Sequence, residues 1–312
     1  MFKDDEISIL FCSYNGELYL REQLDSIIGQ THENWKLYIS DDGSSDNTLK
    51  IIDDYKAKLP EGKLVVINGP RAGFAANFLS LIKNKTISSP WYAFSDQDDI
   101  WLDTKLEQAL AAVQRVEQQV DKPILYGGRT TLIDENKNVI GHSALFKGEF
   151  KLENALLQSY SGGNTMLFND VLKKTLELLP DDIPIVSHDW YLYLICSAFD
   201  GEILYDEKPQ ILYRQHANNL VGSNLSLLSK FNRLITLYNG EFAKWNAINK
   251  QSLDFYYNKL SDKSKTIIDN FYACQSKEMI ARVKGFRKSG VYRMSKIESL
   301  TFSMINMLGR LF

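Results

Sequence analysis

Hydrophobic positions along the first hundred residues fall into two alternating rhythms. Ile7 to Cys12, Lys36 to Ser40 and Leu64 to Asn68 are short apolar-rich runs of strand length. Between them the spacing changes. Leu20, Leu24, Ile27 and Ile28 form a stripe at helical intervals within Leu18 to Ile28, which ends at Gly29. Further helices are predicted from about Asn47 to Lys56 and from Phe74 to Ile82, and a fourth over Lys105 to Gln119, where Leu106, Leu110 and Val113 are in register. Later strands are predicted at Ile124 to Tyr126, Thr130 to Ile133, Asn164 to Phe168 and Glu202 to Tyr205, with an apolar helix at Trp190 to Ala198. From about Ser226 onward the pattern is entirely helical, and no internal repeat interrupts it. Strands alternating with helices require an α/β fold with a mostly parallel sheet and crossover helices.

One strand carries chemistry at its end. Trp91 to Phe94, bounded by Pro90, reads as a buried strand, and Asp96-Gln97-Asp98-Asp99-Ile100-Trp101 follows directly. In an open α/β sheet that carboxyl edge is where ligands bind. Clustered carboxylate oxygens suit a hard divalent cation such as Mg²⁺ or Mn²⁺, which in turn holds phosphates. An acidic turn capping the next helix near Asp103 to Leu106 accounts for the same residues without a ligand. Asp41 and Asp42 stand likewise at the end of the second strand, where a carboxylate can accept from a base N–H or a ribose hydroxyl; Asp42-Gly43 is equally a common turn. Asp189 opens the apolar helix, either as a cap or as a proton acceptor. Ser161-Gly162-Gly163-Asn164-Thr165 places small residues just before a strand, suited to close approach by a sugar or to a plain turn.

Composition narrows the class. The 312 residues, 44% hydrophobic and 24% charged, describe an ordinary folded protein with room for one large α/β domain and an appendage. Met1-Phe2-Lys3-Asp4-Asp5-Glu6 leads straight into a strand, without a signal-peptide pattern, and no apolar run is long enough to span a bilayer. Cys12, Cys196 and Cys274 are odd in number and widely spaced, which argues against a disulfide framework or zinc site. The expectation is a cytoplasmic protein. The net charge of −3 conceals an asymmetry: residues 225–312 hold 15 Lys and Arg against 6 Asp and Glu, about +9, leaving about −12 for residues 1–224. That division excludes a uniformly basic nucleic-acid binder and suits a tail that meets an anionic surface. Lys277 to Lys296 holds seven Lys and Arg against one Glu, and a largely apolar helical segment follows, so peripheral contact with the inner membrane face, or packing on the body or a homodimer contact, is expected there.

Taken together, Ile9-Leu10-Phe11-Cys12-Ser13-Tyr14-Asn15, Gln30-Thr31, Trp35 and Ser40-Asp41-Asp42-Gly43-Ser44-Ser45-Asp46 resemble the start of family 2 glycosyltransferases. The acidic motif is similar to that family's Asp-x-Asp signature, His188-Asp189-Trp190 to its catalytic-base motif, and Tyr213-Arg214-Gln215-His216 to the closing motif of its rhamnosyltransferase-like branch. The resemblance spans roughly residues 5 to 220 and implies a GT-A type catalytic domain over residues 1–224, with a helical extension over 225–312. It implies an inverting, metal-dependent transferase of a nucleotide-diphospho-sugar, with dTDP-rhamnose favoured, acting on a glycan or lipid-linked acceptor of a bacterial surface polysaccharide. Residue by residue, it implies Asp189 as the base, Asp98 and His216 as ligands of Mn²⁺ or Mg²⁺, and Ser13, Asp41, Asp42, Asp96 and Arg214 as contacts to the donor. Asp42 is expected to meet the base, Asp96 the ribose or a metal-bound water, Arg214 the diphosphate, and Asp99 points toward the acceptor. Alternatives are a transferase of a UDP-linked sugar, a degenerate sugar-nucleotide binding protein, and a nucleotidyltransferase. The last normally carries a basic phosphate loop after the first strand, where Ser13-Tyr14-Asn15-Gly16-Glu17 has no Lys or Arg.

Overall fold

The computed structural model describes residues 5–117, 122–216 and 240–312. Strands β1 (Ile7–Ser13), β2 (Trp35–Asp41), β3 (Leu64–Asn68) and β4 (Trp91–Ser95) alternate with helices α1 (Leu20–Ile28), α2 (Thr48–Lys56) and α3 (Phe74–Lys83). With β6 (Ile124–Gly128), β9 (Leu167–Asn169) and β10 (Glu202–Asp206) they form a seven-stranded sheet of order β10-β6-β9-β4-β1-β2-β3. All pairings are parallel except those of β9, which runs antiparallel to β4 and β6. The chain moves outward from β1 through β2 to β3 and returns to the other side of β1 as β4. Between β1 and β4 the strand order therefore reverses, and a crevice opens at the carboxyl edge. In register, Ser13 lies opposite Asp41, and Phe11 opposite Ser95, so the acidic motif leaves the sheet at the same edge.

A second sheet, β5-β11-β7-β8, completes this edge from β5 (Ile100–Trp101), β7 (Thr131–Ile133), β8 (Val139–His142) and β11 (Ile211–Arg214). β11 pairs antiparallel with β5, Leu212 opposite Ile100, which carries Arg214 back beside the acidic motif.

Side-chain alternation along β1 separates two cores. Ile7, Ile9 and Phe11 face α1, α2 and α4 (Lys105–Glu117) through Leu24, Ile27, Ile52 and Leu106. Leu10 faces the other side, with Phe78 and Leu81 of α3, α5 (Leu152–Ala155), α6 (Asp170–Leu176) and α7 (His188–Ala198). The tail helices α8 (Glu241–Tyr256), α9 (Asp262–Tyr272), α10 (Met279–Ser289) and α11 (Lys296–Met307) continue this second core. Phe242 packs on Trp190 with ring centroids 6.1 Å apart, and the hydroxyls of Tyr191 and Tyr256 are 3.0 Å apart. The expected boundary at residues 224 and 225 lies outside the described residues, as does the stretch 226–239 read as helical.

The strand expected at Asn164 to Phe168 is corrected: Gly163–Thr165 is a turn of 3-10 helix, and β9 follows it. Strands β5, β8 and β11 carry no periodic signal because they are two to four residues long.

Arg293 joins tail to body. Its Nη1 donates to the Leu157 carbonyl at 2.7 Å, its Nε to Glu298 at 2.8 Å, and it lies over the Phe302 ring at 4.9 Å. Arg293→Ala is predicted to lower the unfolding free energy by about 2 kcal/mol through these lost charge-assisted bonds, read as a lower urea midpoint at unchanged slope.

Candidate active site

At the end of β1 and β2, carboxylates organise the loops. Ser13 Oγ donates to Asp41 Oδ2 at 3.0 Å, while Asp41 Oδ1 accepts from the amides of Gly43 at 3.1 Å and Ser44 at 2.8 Å. Gly43 sits at φ +96°, a left-handed conformation that this turn needs and a side chain resists. Asp41, expected to touch the donor, is buried, and these bonds shape the loop. Asp42 accepts from the amides of Arg71 at 2.6 Å and Gly73 at 2.9 Å, which draws the β3–α3 loop over the same edge. Gln97, not singled out in the sequence, clamps the β1–α1 loop by accepting from the Tyr14 amide at 2.8 Å and donating to its carbonyl at 2.9 Å.

The acidic motif divides by direction. Asp98 Oδ2 lies 2.8 Å from His216 Nε2, bringing together residues 118 positions apart. Asp99 instead turns inward: it is fully buried and accepts from Asn164 Nδ2 at 2.5 Å and from the Arg214 amide at 3.3 Å. The expectation that Asp99 faces the acceptor is thereby corrected, since both its oxygens fasten the motif to the turn before β9 and to β11. Arg214, expected at the diphosphate, has a guanidinium that is 1% exposed and donates to the carbonyls of Asp98 and Glu135 and to Glu22, which holds the motif from behind. Behind the motif, Lys105 is buried against the Trp101 ring at 3.7 Å, and burial pushes its amine down to about 7.

Asp96 shares its surroundings with both other carboxylates of the edge. Burial foremost, and then the charges of Asp98 and Asp189, push its carboxyl up to about 7. Asp189, the second residue of α7, thus lies within electrostatic reach of a motif 93 positions earlier in the chain. His188 fixes the start of that helix. Its ring stacks on Phe78 at 3.9 Å and meets Phe94 edge-on at 4.9 Å, and a Cβ at Gly163 would collide with its Nε2. Gly163 is therefore a packing requirement. In the sequence, His188 is named only as part of the His188-Asp189-Trp190 motif, with no role of its own; among the described residues its ring nitrogens have no hydrogen-bond partner.

For a divalent cation, the pair Asp98 and His216 is a fitting donor set. In this structure the two are hydrogen-bonded, Oδ2 to Nε2 at 2.8 Å, a spacing close to the about 3 Å between adjacent ligands of an octahedral ion with bonds of about 2.1 Å. Among the described residues no group of three or more such side chains forms a complete cage. One carboxylate and one imidazole suit a Mn²⁺-type ion better than the oxygen-seeking Mg²⁺, with the remaining positions left to water and substrate phosphates.

Comparison with known proteins agrees with this geometry. Residues 8–176 match the family model described as "Glycosyl transferase family 2". A dTDP-rhamnosyl transferase, RfbG of Shigella flexneri, is 31% identical over 239 residues, covering 74% of this chain and 80% of the relative. WfgD of Escherichia coli, a UDP-Glc:alpha-D-GlcNAc-diphosphoundecaprenol beta-1,3-glucosyltransferase, is 30% identical over 191 residues, covering 60% of this chain and 68% of the relative. Among solved structures, TarS of S. aureus in complex with UDP-GlcNAc superposes with a TM-score of 0.55 at 17% identity, over 98% of this chain and 89% of that one. The fold is thus the GT-A type that the motifs implied.

The buried His188 gives a pH test. Burial pushes its pKa from 6.5 down to about 4, against the opposing pull of Asp189. Between those values the folded protein binds fewer protons than the unfolded one, so stability is lost as pH falls from about 6.5 to 4. The loss attributable to this ring is on the order of 2–3 kcal/mol. Urea titrations of the parent and of His188→Leu are predicted to diverge across that window, the variant lacking this part of the acid sensitivity.

Proposed function

This chain belongs to glycosyl transferase family 2 and is a glycosyltransferase, and we propose that it moves L-rhamnose from dTDP-rhamnose, with inversion, to a hydroxyl of a glycan or lipid-linked saccharide. The observation that carries the reading is the meeting of Asp98 with His216 at 2.8 Å, beside an Asp96 whose carboxyl feels both Asp98 and Asp189. Two chain segments thereby supply a cation-binding pair and a separate carboxylate at one sheet edge.

In this reading Asp189 accepts the proton of the acceptor hydroxyl as its oxygen bonds to the anomeric carbon. The bond from that carbon to the diphosphate oxygen breaks on the opposite face, and the nucleoside diphosphate departs. One carboxylate suffices for an inverting displacement. Asp98 and His216 would hold Mn²⁺ or Mg²⁺, which when bound supplies Lewis-acid stabilisation to the leaving diphosphate. Ser13, Asp41 and Asp42 form the nucleoside end of the crevice, the first two by setting the loop. Asp96, half-buried, would contact the ribose or a metal-bound water. The rhamnosyl donor is supported by RfbG, whose match covers most of both chains. WfgD favours a second reading, a UDP-linked hexose delivered to a polyprenyl-diphosphate saccharide. A degenerate binding protein is disfavoured because Asp98, Asp189 and His216 are all present.

Asp189→Asn is predicted to reduce transfer by about 10²- to 10⁴-fold while donor affinity stays within about threefold, because the base acts in the transition state. Transfer within tenfold of the parent removes Asp189 from this role.

Titration calorimetry with and without Mn²⁺ tests donor and metal together. The parent is predicted to bind dTDP-rhamnose more tightly than UDP-glucose, and His216→Ala to lose at least about tenfold in the Mn²⁺-dependent affinity, some 1.4 kcal/mol. Preference for the uridine nucleotide overturns the rhamnosyl donor alone; unchanged Mn²⁺ dependence overturns His216 as a ligand.

A further inference from the structure

Helix α11 is apolar on two sides. Its inner face is packed: Phe302 meets Phe242 with ring centroids 4.7 Å apart, and Ile305 is buried beside it. On the outer side Ile297, Leu300, Met304 and Leu308 are 79%, 59%, 54% and 67% exposed. Spacings of three and four residues put them in one stripe along the helix. A second, smaller contribution comes from α10, where Ile280 is 78% exposed and Lys284 and Arg287 follow on the same face, with Lys288 adjacent.

The tail's cations fall into two groups. Arg282 and Arg293 serve the fold: Arg282 donates to the carbonyls of Asn306 and Met307 at the end of α11, and Arg293 to Leu157 and Glu298. Lys277, Lys284, Arg287, Lys288 and Lys296 are exposed and, among the described residues, form no ion pair. Thus an outward apolar stripe is flanked by outward positive charge, on a tail of about +9 joined to a body of about −12.

We propose that this face docks on an anionic lipid bilayer, α11 lying in the plane of the interface with its stripe at the headgroup boundary and the cations against lipid phosphates. This goes beyond the transfer reaction and does not depend on its donor. Among the described residues no helix is long and apolar enough to cross a membrane, so the contact is a surface one. Charge selects this occupant over a second copy of the chain. A two-fold contact would set one basic tail against another, whereas an anionic surface attracts the tail and repels the acidic body, which orients the approach.

Co-sedimentation of the full chain with phosphatidylcholine vesicles, with and without phosphatidylglycerol, tests this. Partition onto the anionic vesicles is expected to exceed that onto neutral ones at least about tenfold and to weaken as salt is raised. Leu300→Asp with Met304→Asp, and separately Lys284→Glu with Arg287→Glu, are each expected to reduce it about tenfold. Donor binding measured by calorimetry in solution stays at the parent's value in both, which separates lost docking from a lost fold or a wrong donor assignment. Equal partition onto both vesicle types, or partition by both variants equal to the parent's, overturns the proposal. So does a concentration-dependent parent dimer, seen by sedimentation equilibrium, that the Leu300→Asp and Met304→Asp pair dissolves while vesicle partition is unchanged; the stripe is then a self-contact.

Discussion

Arg214 is the constraint on which the reacting edge depends. Its Nε donates to the Asp98 carbonyl at 3.0 Å, its Nη1 to the Glu135 carbonyl at 3.2 Å, and its Nη2 to Glu22 at 2.5 Å, while the guanidinium lies over the Tyr19 ring at 4.5 Å. One buried cation therefore joins the start of α1, the acidic motif and the β7–β8 turn to the end of β11. A planar fork reaches acceptors in three directions; a lysine ammonium in the same place has neither the shape nor the reach. His216 follows two residues later, and its ring emerges 2.8 Å from Asp98 and 5.1 Å from the Tyr19 ring. The motif and its histidine partner are thus positioned by the same side chain.

That positioning gathers like charges. For Asp96, burial, Asp98 and Asp189 all act in one direction, raising the carboxyl. Asp99 is under the same conflict: burial foremost, then Asp98 and Asp96, raise its carboxyl well above the usual carboxylate range, against the opposing bonds from Asn164 and the Arg214 amide. The cations closest to the motif do not answer the remaining charge: Arg214 is paired with Glu22, and Lys105 is driven toward neutrality by burial. Held at fixed geometry, carboxylates in this condition favour a bound cation, because a buried charge is costly until it is paired.

The central parallel strands β1, β2 and β4 were legible in the sequence because each is an apolar-rich run buried on both faces. The site's carboxylates were legible because strand ends mark the ligand edge. What the sequence hid is direction. Nothing local distinguishes Asp98, which faces His216, from Asp99, which faces Asn164. Arg214 carries the same charge whether it meets a phosphate or a carbonyl, and only the pairing of β11 with β5 and β7 decides that it is buried. Asn164 and Thr165 read as the start of a strand because the residues that follow them are apolar. With Gly163 they wind into a 3-10 turn where Gly163 accommodates the ring of His188, a contact between elements that no periodicity records.

Helix α7 connects the site to the tail. Every residue from His188 to Ala198 is buried except Asp189, so the proposed base stands on a helix fixed by packing on all its other faces. At its start His188 is wedged between α3 and β4. One turn further, Trp190 packs on Phe242, and Tyr191 shares hydrogen bonding with Tyr256 and the Leu176 carbonyl. Phe242 is in turn held by Phe302 of α11. The tail is therefore part of the apparatus that positions Asp189, and its inner face has a structural reason to be apolar. No such reason applies to Ile297, Leu300, Met304 and Leu308, which contribute nothing to that packing from the opposite side of the same helix.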